Sequence, residues 1–268
     1  MTTFNLRRNT PNDLNELLRS APESEVALTD DHRRSLSARF RAVHLVEQRR
    51  LDAWSVEQAG KSSSTFRWSP ASARRLVGNA ALRRMVREPL RSPCEAVREE
   101  IDDQLLRCAS GYARAGSLAS WLASLDASER ALVCAEATNW VVQLLEIAQG
   151  LDREWSVATS DAYYDVARAR TSLRARRDLV IPLDQGRVVV RVRSGGPGKS
   201  AGPGLRSDLT IDTLAHHEGV APRRFIGVWP EAGVALSVDG TMADLRAGAR
   251  DLVRTAVVQE RRTHRTAA

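Results

Sequence analysis

The sequence predicts a mixed α/β (α+β) fold, a mixed sheet flanked by helices and preceded by a helical region. Two observations support this prediction. Residues 30–150 carry apolar positions at helical spacing almost throughout, and residues 171–238 contain runs rich in β-branched side chains around one helical stretch. The order hairpin, helix, hairpin, helix in the second part is typical of a sheet covered by helices.

The composition divides the chain into four predicted segments. The first is a polar, loosely ordered leader whose pattern allows a short helix around Asp13–Leu18, and the last is a polar tail that frays. Between them, a helical region precedes an α/β core. The predicted bounds of the four segments are 1–28, 29–150, 151–258 and 259–268.

Capping residues and apolar spacing place the helices of the second segment. Thr29, Asp30 or Asp31 caps a first helix whose apolar positions run as far as Trp54, and a Gly-Lys-Ser-Ser-Ser loop follows at 60–64. Ser69 and Pro70 form a favourable helix start, a capping hydroxyl followed by proline at the first helical position. Further helices are predicted at 94–109, 118–122 and 129–148.

Two β-rich runs at 171–193, joined by Leu-Asp-Gln-Gly, predict a hairpin in the third segment. A glycine-proline loop at 194–204 and a helix from Ser207 to about His217 follow. Two more strands and a last helix, capped by Asp239 or Thr241, complete the segment. The predicted strands are Arg224–Trp229 and Val234–Val238.

Composition and charge narrow the functional classes. Of the 40 basic residues only Lys61 and Lys199 are lysines, and the net charge is +7. The arginine-to-lysine ratio is typical of a GC-rich genome, whereas the net charge favours a polyanionic partner. No apolar run has the length of a membrane span and the N-terminus has no signal-peptide core, so a cytoplasmic protein with no membrane contact is expected.

The three cysteines are expected to be buried, reduced thiols. Cys94, Cys108 and Cys134 have neither CxxC spacing nor a nearby histidine pair, which excludes a zinc site or a disulfide framework. The histidines lie in polar or terminal contexts, and the chain has no Gly-x-Ser-x-Gly nucleophile motif.

The segment Gly-Gly-Pro-Gly-Lys-Ser at 195–200 ends like a phosphate-binding loop. That motif requires a glycine at the position of Arg193, and no helix is expected to open directly after Ser200. A flexible surface loop is therefore predicted here.

Four carboxylates are candidates for metal-dependent chemistry: Glu136, Asp178, Asp208 and Asp212. Asp178 lies in a β-rich run, where a charge is unusual, and Asp208 and Asp212 occupy successive turns of one helix. Such carboxylates could bind a divalent cation for phosphodiester chemistry. The structural alternative is that Asp178 pairs with a neighbouring arginine and Asp208 caps its helix.

Two segments within residues 66–258 resemble the nuclease domain of RecB-type PD-(D/E)XK proteins, a family that includes Cas4-like exonucleases. Phe66-Arg-Trp-Ser-Pro-Ala-Ser-Ala-Arg-Arg-Leu is similar to the helix that opens such domains. The run from Leu173 through Asp178 to Leu183 and the run from Gly186 to Gly195 resemble their two core strands. The resemblance implies a PD-(D/E)XK-like core.

The departures from the family pattern concern catalysis. The second core strand of an active member carries a metal-binding acid and, two residues later, a lysine; here these positions are Arg191 and Arg193. Asp178 matches the first metal-binding aspartate, whereas Asp208 and Asp212 stand where the family has Gln and Tyr. The cysteine of iron–sulfur members would fall near Asn79. A fixed cation at Arg191 is expected to exclude a divalent ion and to pair with Asp178.

The resemblance therefore predicts a catalytically degenerate, nuclease-like protein that binds DNA or a DNA-processing partner, without a cofactor. Two alternatives remain: an active Mg²⁺-dependent nuclease using Asp178, Asp208, Asp212 and Glu136, with Asp178 and Asp208 on the metal, or a protein-interaction module that ignores nucleic acid. Expected phosphate contacts are Arg74, Arg75, Arg83, Arg84, Arg174, Arg176, Arg177, Arg191 and Arg193.

Overall fold

The computed structural model describes residues 2–5, 12–43, 49–58, 68–88 and 91–267. These residues form two units. Unit 1 comprises Met1–Ser62 and Gly150–Ala268, and unit 2 comprises Ser63–Gln149.

Unit 1 contains both helices and strands, and unit 2 is helical. The helices are α1 Asn12–Arg19, α2 Asp30–Arg41, α3 Ala53–Glu57, α4 Pro70–Arg87, α5 Pro93–Ala109, α6 Leu118–Ser124, α7 Ala127–Gln149, α8 Ala201–Ala215 and α9 Met242–Ala267. The strands are β1 Thr2–Asn5, β2 Arg49–Asp52, β3 Ser156–Val157, β4 Ala162–Asp165, β5 Thr171–Ala175, β6 Leu179–Pro182, β7 Arg187–Val192, β8 Arg224–Trp229 and β9 Val234–Asp239.

Unit 1 contains two mixed sheets. The larger has the order β1-β9-β8-β7-β6-β3, in which only the β7–β8 pairing is parallel. The smaller has the order β2-β5-β4, with β2 parallel and β4 antiparallel to β5. Helix α8 makes the crossover between the parallel strands β7 and β8, as parallel neighbours require.

Helix α8 contributes to both apolar cores of unit 1. Leu205 and Leu209 pack with residues of the larger sheet such as Phe225, whereas Ile211 packs with residues of the smaller sheet such as Leu173. Twelve of the fifteen residues of α8 are buried. Polar side chains on this helix are therefore held in the interior, where they need partners.

Unit 2 is built from α4, α5, α6 and α7. Serine caps with a reciprocal bond begin α4 at Ser69 and α5 at Ser92. Helix α7 is long and apolar enough by composition to cross a membrane, a property that core helices of soluble proteins share. Its buried residues include Val133, Trp140 and Leu144, and the Trp140 indole donates a hydrogen bond to Asn79.

The structure confirms several predicted elements. The coarse fold class, mixed helices and sheets, is correct. The β6–β7 hairpin turns at Leu183–Gly186, where Leu183 and Gly186 are hydrogen-bonded, and β8 and β9 follow the predicted bounds closely. Thr241 caps α9 by accepting from the Asp244 N–H. The loop predicted at 60–64 lies outside the described residues.

Other predictions about the early part of the chain are wrong. The first helix ends at Arg41, and Arg49–Asp52 forms strand β2, because its pairing with β5 overrides the local helical pattern. Residues 12–28 are ordered, not a loose leader. Buried Leu17 and the Arg224 side chain, which donates to the Leu17 and Ser20 carbonyls, hold α1 in unit 1.

The predicted boundary at residue 150 lies within one residue of the division between the units, whereas the boundaries at residues 28 and 258 need correction. The independent helical unit is Ser63–Gln149, and the chain before it belongs with the C-terminal part. The last helix continues through the predicted fraying tail to Ala267. Helix α8 opens at Ala201 directly after Ser200, although no helix was expected there, and Gly202, Pro203 and Gly204 lie inside it. Burial stabilises these residues against their weak helix propensity.

Candidate functional site

The candidate site lies where β7 faces α8 in unit 1. Arg191 belongs to β7 and Arg193 follows two residues later, so both side chains project from the same side of the strand. The backbone N–H of Arg193 donates to the Val228 carbonyl, which continues the pairing with β8. Two arginines are thus held side by side against the helix.

Arg191 and Asp208 form a buried ion pair. The guanidinium of Arg191 donates to Oδ2 of Asp208, and the residues are 5% and 0% exposed. Oδ1 of Asp208 is buried and has no hydrogen-bond partner. Loss of hydration raises the pKa of Asp208 to about 6, and the neighbouring Arg191 limits the rise by favouring the carboxylate.

Arg193 is held by Glu57 and Trp229. Both terminal nitrogens of the guanidinium donate to the Glu57 carboxylate, a bidentate geometry that fixes the plane of the side chain. The guanidinium carbon lies 5.0 Å from the centre of the Trp229 ring. Gly204 of α8 lets Glu57 approach, since a Cβ at that position would overlap the carboxylate.

Asp178 is bound to the backbone of β7. Its carboxylate accepts from the Val192 N–H at 2.8 Å, and its own N–H donates to the Val190 carbonyl at 3.0 Å. The side chain is fully buried. The sequence predicts a pair between Asp178 and Arg191, but the ion pair that Arg191 makes in the structure is with Asp208. Asp208 is one turn or more inside α8, so it does not cap the helix as expected.

Asp212 is the second buried acid of α8 and also meets arginines. Arg187 donates to its Oδ2 at 2.6 Å, and Arg177 lies 3.4 Å from its Oδ1. Arg177 donates in addition to the Ser160 carbonyl at 2.9 Å. Asp212 therefore serves as a charge partner inside unit 1. Glu136 lies in unit 2, where it pairs with Arg74 at 3.0 Å.

These residues do not fit the divalent cation that the PD-(D/E)XK resemblance implies. Mg²⁺ requires several oxygen ligands in near-octahedral geometry. Asp178 is bound to a backbone N–H and Asp208 to a guanidinium, which places a fixed positive charge beside the carboxylates. In the described part of the chain, no group of three or more His, Cys, Asp or Glu side chains is arranged to hold a metal ion.

No protein-family model, curated protein or solved structure matches this chain. The chemistry of the site therefore follows from its own side chains. Four of them form two neighbouring ion pairs, Arg191–Asp208 and Arg193–Glu57, that bring β7, α8 and α3 together. This arrangement can lock three elements in place.

The arginines expected to contact DNA are largely engaged within the protein. Arg191 is buried and cannot reach a phosphate, so its predicted contact is wrong. Several others make ion pairs, and Arg75, Arg83 and Arg176 are only partly exposed. The pairs are Arg74–Glu136, Arg84–Asp103, Arg174–Asp161, Arg176–Asp52, Arg177–Asp212 and Arg193–Glu57.

Sequence reasoning missed three residues of the site: Asp52, Glu57 and Trp229. Asp52 caps α3 by accepting from the Ser55 N–H. Burial is the main cause of the raised pKa of Asp208, and the Asp208 charge is the main cause that raises the pKa of Arg191; the charge of Asp52 adds to both. Glu57 ends the same helix. The pattern Asp-x-x-Ser at residues 52–55 signals a helix start and was the available clue. Because the sequence pattern assigned Arg49–Asp52 to the first helix, this second helix start was not recognised.

Proposed function

We propose that the chain is a catalytically inert, nuclease-like protein whose function is binding, with DNA as the first candidate ligand. The observation that supports the lack of catalysis is that two ion pairs lie side by side in the interior at β7. Arg191 and Arg193 occupy the positions where the resembled family has an acid and a lysine, and both are held by acids of this chain. A guanidinium cannot act as a proton-transfer group, because its pKa stays above about 12.

The net charge of +7 supports the second half of the proposal. A polyanion gains affinity from arginine contacts to phosphate and from release of its counterions, without reading the base sequence. DNA in the cytoplasm would be the natural partner of such a protein.

Cleavage and binding assays on the purified chain test this proposal. With Mg²⁺ or Mn²⁺ present, we expect no degradation of single- or double-stranded DNA. We expect binding to DNA without metal, with an affinity that falls steeply with salt in proportion to the phosphates neutralised. Metal-dependent cleavage that Asp178→Ala abolishes would instead establish the nuclease alternative, and salt-insensitive binding would contradict a phosphate-based contact.

A second candidate function is that of a protein-interaction module. It is favoured because many of the arginines already form ion pairs within the protein. Ion pairs occupy most of the guanidiniums predicted for phosphates, including Arg174, Arg177 and Arg193. Each such pair reduces the positive charge that DNA would meet at that surface. Absence of DNA binding even at low salt would favour this candidate over the first.

A further inference from the structure

A groove in unit 1 lies between α2, α8 and α9, away from the ion pairs of β7. Its volume is about 210 Å³. Buried Leu36, Leu214 and Leu245 form the floor, and Leu28 and Ala249 line it where it opens. The groove is therefore apolar at its base.

Three exposed arginines surround this floor: Arg39 on α2, and Arg246 and Arg250 on α9. Within the described ranges, no acidic side chain lines the groove and none of these three arginines has an ion-pair partner. Their charges are therefore available to a ligand.

Two nearby acids and the Thr210 hydroxyl are already engaged, and His32 and Ser35 also line the groove. Asp251 of α9 pairs with Arg206, and Asp31 of α2 pairs with Arg34. The Thr210 hydroxyl, which lines the groove, donates within unit 1 to a backbone carbonyl 2.8 Å away. What remains for a ligand is an apolar floor with a cationic rim.

The cationic rim continues along α9 beyond the groove. Arg246, Arg250, Arg254 and Arg261 are exposed, and their spacing of 4, 4 and 7 residues keeps them on one helix face. At 1.5 Å per residue the row extends for about 22 Å. In the described part of the chain, none of the four has an ion-pair partner. Its length suits an extended polyanion better than a small molecule.

We infer that this groove and the arginine row bind an acidic peptide segment of a protein partner. One large apolar side chain of the peptide enters the groove, and carboxylates on either side pair with the arginines. A volume of about 210 Å³ is below that of ordinary small-molecule pockets, about 300–1,000 Å³, and suits a single side chain. The inference deepens the protein-interaction candidate and does not depend on DNA binding.

The lining of the groove favours a peptide over nucleic acid. Sites for single-stranded nucleic acid combine positive charge with aromatic side chains on which bases stack. The large apolar side chains around this groove are leucines, and the ring among its described lining residues is the His32 imidazole, which is bonded to the Thr29 hydroxyl 2.8 Å away. A duplex, whose bases are stacked inside, would leave the apolar floor unused.

Fluorescence anisotropy of a labelled peptide tests the inference. The probe is a short peptide with a central phenylalanine between runs of glutamate. We expect Arg246→Ala with Arg250→Ala to weaken binding about tenfold, since two ion pairs and the orientation of the anchor are lost. Ala249→Trp fills the groove without changing the charge and should weaken binding comparably.

A matched control removes the same charge elsewhere. Arg87 and Arg107 of unit 2 are exposed and have no ion-pair partner in the described residues. Arg87→Ala with Arg107→Ala should change peptide binding less than about threefold, because long-range effects of exposed charges are screened by salt. Circular dichroism of each variant confirms that it folds.

Three results of the peptide assay alone would overturn the inference. They are absence of peptide binding, equal affinity for an oligoglutamate that lacks phenylalanine, and an equal loss from the unit 2 control. DNA binding is measured on the same variants. The DNA result that matters has three parts: DNA displaces the peptide, Arg246→Ala with Arg250→Ala weakens DNA binding, and Ala249→Trp leaves DNA binding unchanged. This result would assign the arginine row to nucleic acid. It would overturn the peptide site and support the DNA proposal. Peptide binding by a chain that fails to bind DNA would support the peptide site and contradict the DNA proposal.

Discussion

Replacing Arg191 and Asp208 separately and together measures what the buried pair contributes. Arg191→Met removes the guanidinium and keeps an unbranched side chain, and Asp208→Leu replaces the carboxylate by an apolar group with the same branched heavy-atom skeleton. Each single substitution leaves one buried ionisable group without its partner. The double variant leaves neither, so a thermodynamic cycle isolates the interaction.

The cost of Arg191→Met follows from the protonation of Asp208. Without the guanidinium, the fully buried carboxyl is expected to be neutral when folded. Because the pKa of Asp208 is already raised to about 6 in the original protein, keeping the carboxyl neutral adds only about 1 kcal/mol at pH 7 and almost nothing at pH 5. Asp208→Leu leaves an arginine that cannot lose its proton, so it should cost about 3–5 kcal/mol at both pH values.

The double variant should be close to the original protein in stability. An apolar pair in place of a buried ion pair is often neutral or stabilising, because neither charge then has to be desolvated. Urea titrations followed by circular dichroism at pH 7 and pH 5 give the four free energies of unfolding. If the losses in unfolding free energy of the two single variants add up in the double variant, the Arg191–Asp208 pairing is refuted. If the loss caused by Arg191→Met is the same at both pH values, the protonation of Asp208 is refuted.

Three further predictions concern the same site. The pKa of Asp208, raised to about 6, means that the folded state holds a proton that the unfolded state releases. The free energy of unfolding should therefore fall by about 2 kcal/mol as the pH rises from 4 to 7, and this fall should be absent from Arg191→Met/Asp208→Leu in urea titrations extended to pH 4. Gly204→Ala should lower the melting temperature despite the better helix propensity of alanine, since the new Cβ displaces Glu57; an unchanged or higher melting temperature would contradict that contact. Arg191→Glu with Arg193→Lys restores the acid and lysine of the resembled family, so Mg²⁺ should raise the melting temperature of this variant and leave that of the original chain unchanged. An identical response of the two proteins would count against Arg191 as the replaced metal ligand.

Local signals predicted those parts of the fold that local interactions determine. The Ser69–Pro70 helix start, the turn at Leu183–Gly186 and the Thr241 cap depend on neighbouring residues, and all three are present. Strand β2 and helix α8 depend on contacts distant in sequence. Arg49–Asp52 is a strand because β5 lies beside it, and the glycines of α8 are helical because two cores enclose them.

The same distinction applies to the site. The alternation of a strand places Arg191 and Arg193 on one face, which the sequence shows directly. Their partners could not be found in this way, because Glu57 is 136 residues from Arg193 and pattern alone does not indicate which acid of α8 reaches Arg191. Asp178 was the nearer choice along the chain, but the Val192 N–H, a neighbour across the hairpin, binds its carboxylate.

The ion pairs of β7 also explain how the protein can be stable with charged side chains buried in its interior. Helix α8 is enclosed on both sides, so Asp208 and Asp212 would be costly to bury alone, and each is matched by arginines of neighbouring strands. Arginine suits this position because it stays charged and can satisfy several acceptors at once. Among the described side chains of α9, the exposed Arg246, Arg250, Arg254 and Arg261 have no ion-pair partner. Two populations of arginine therefore follow from burial: those inside unit 1 stabilise the protein, and those on the α9 surface remain available for an acidic partner.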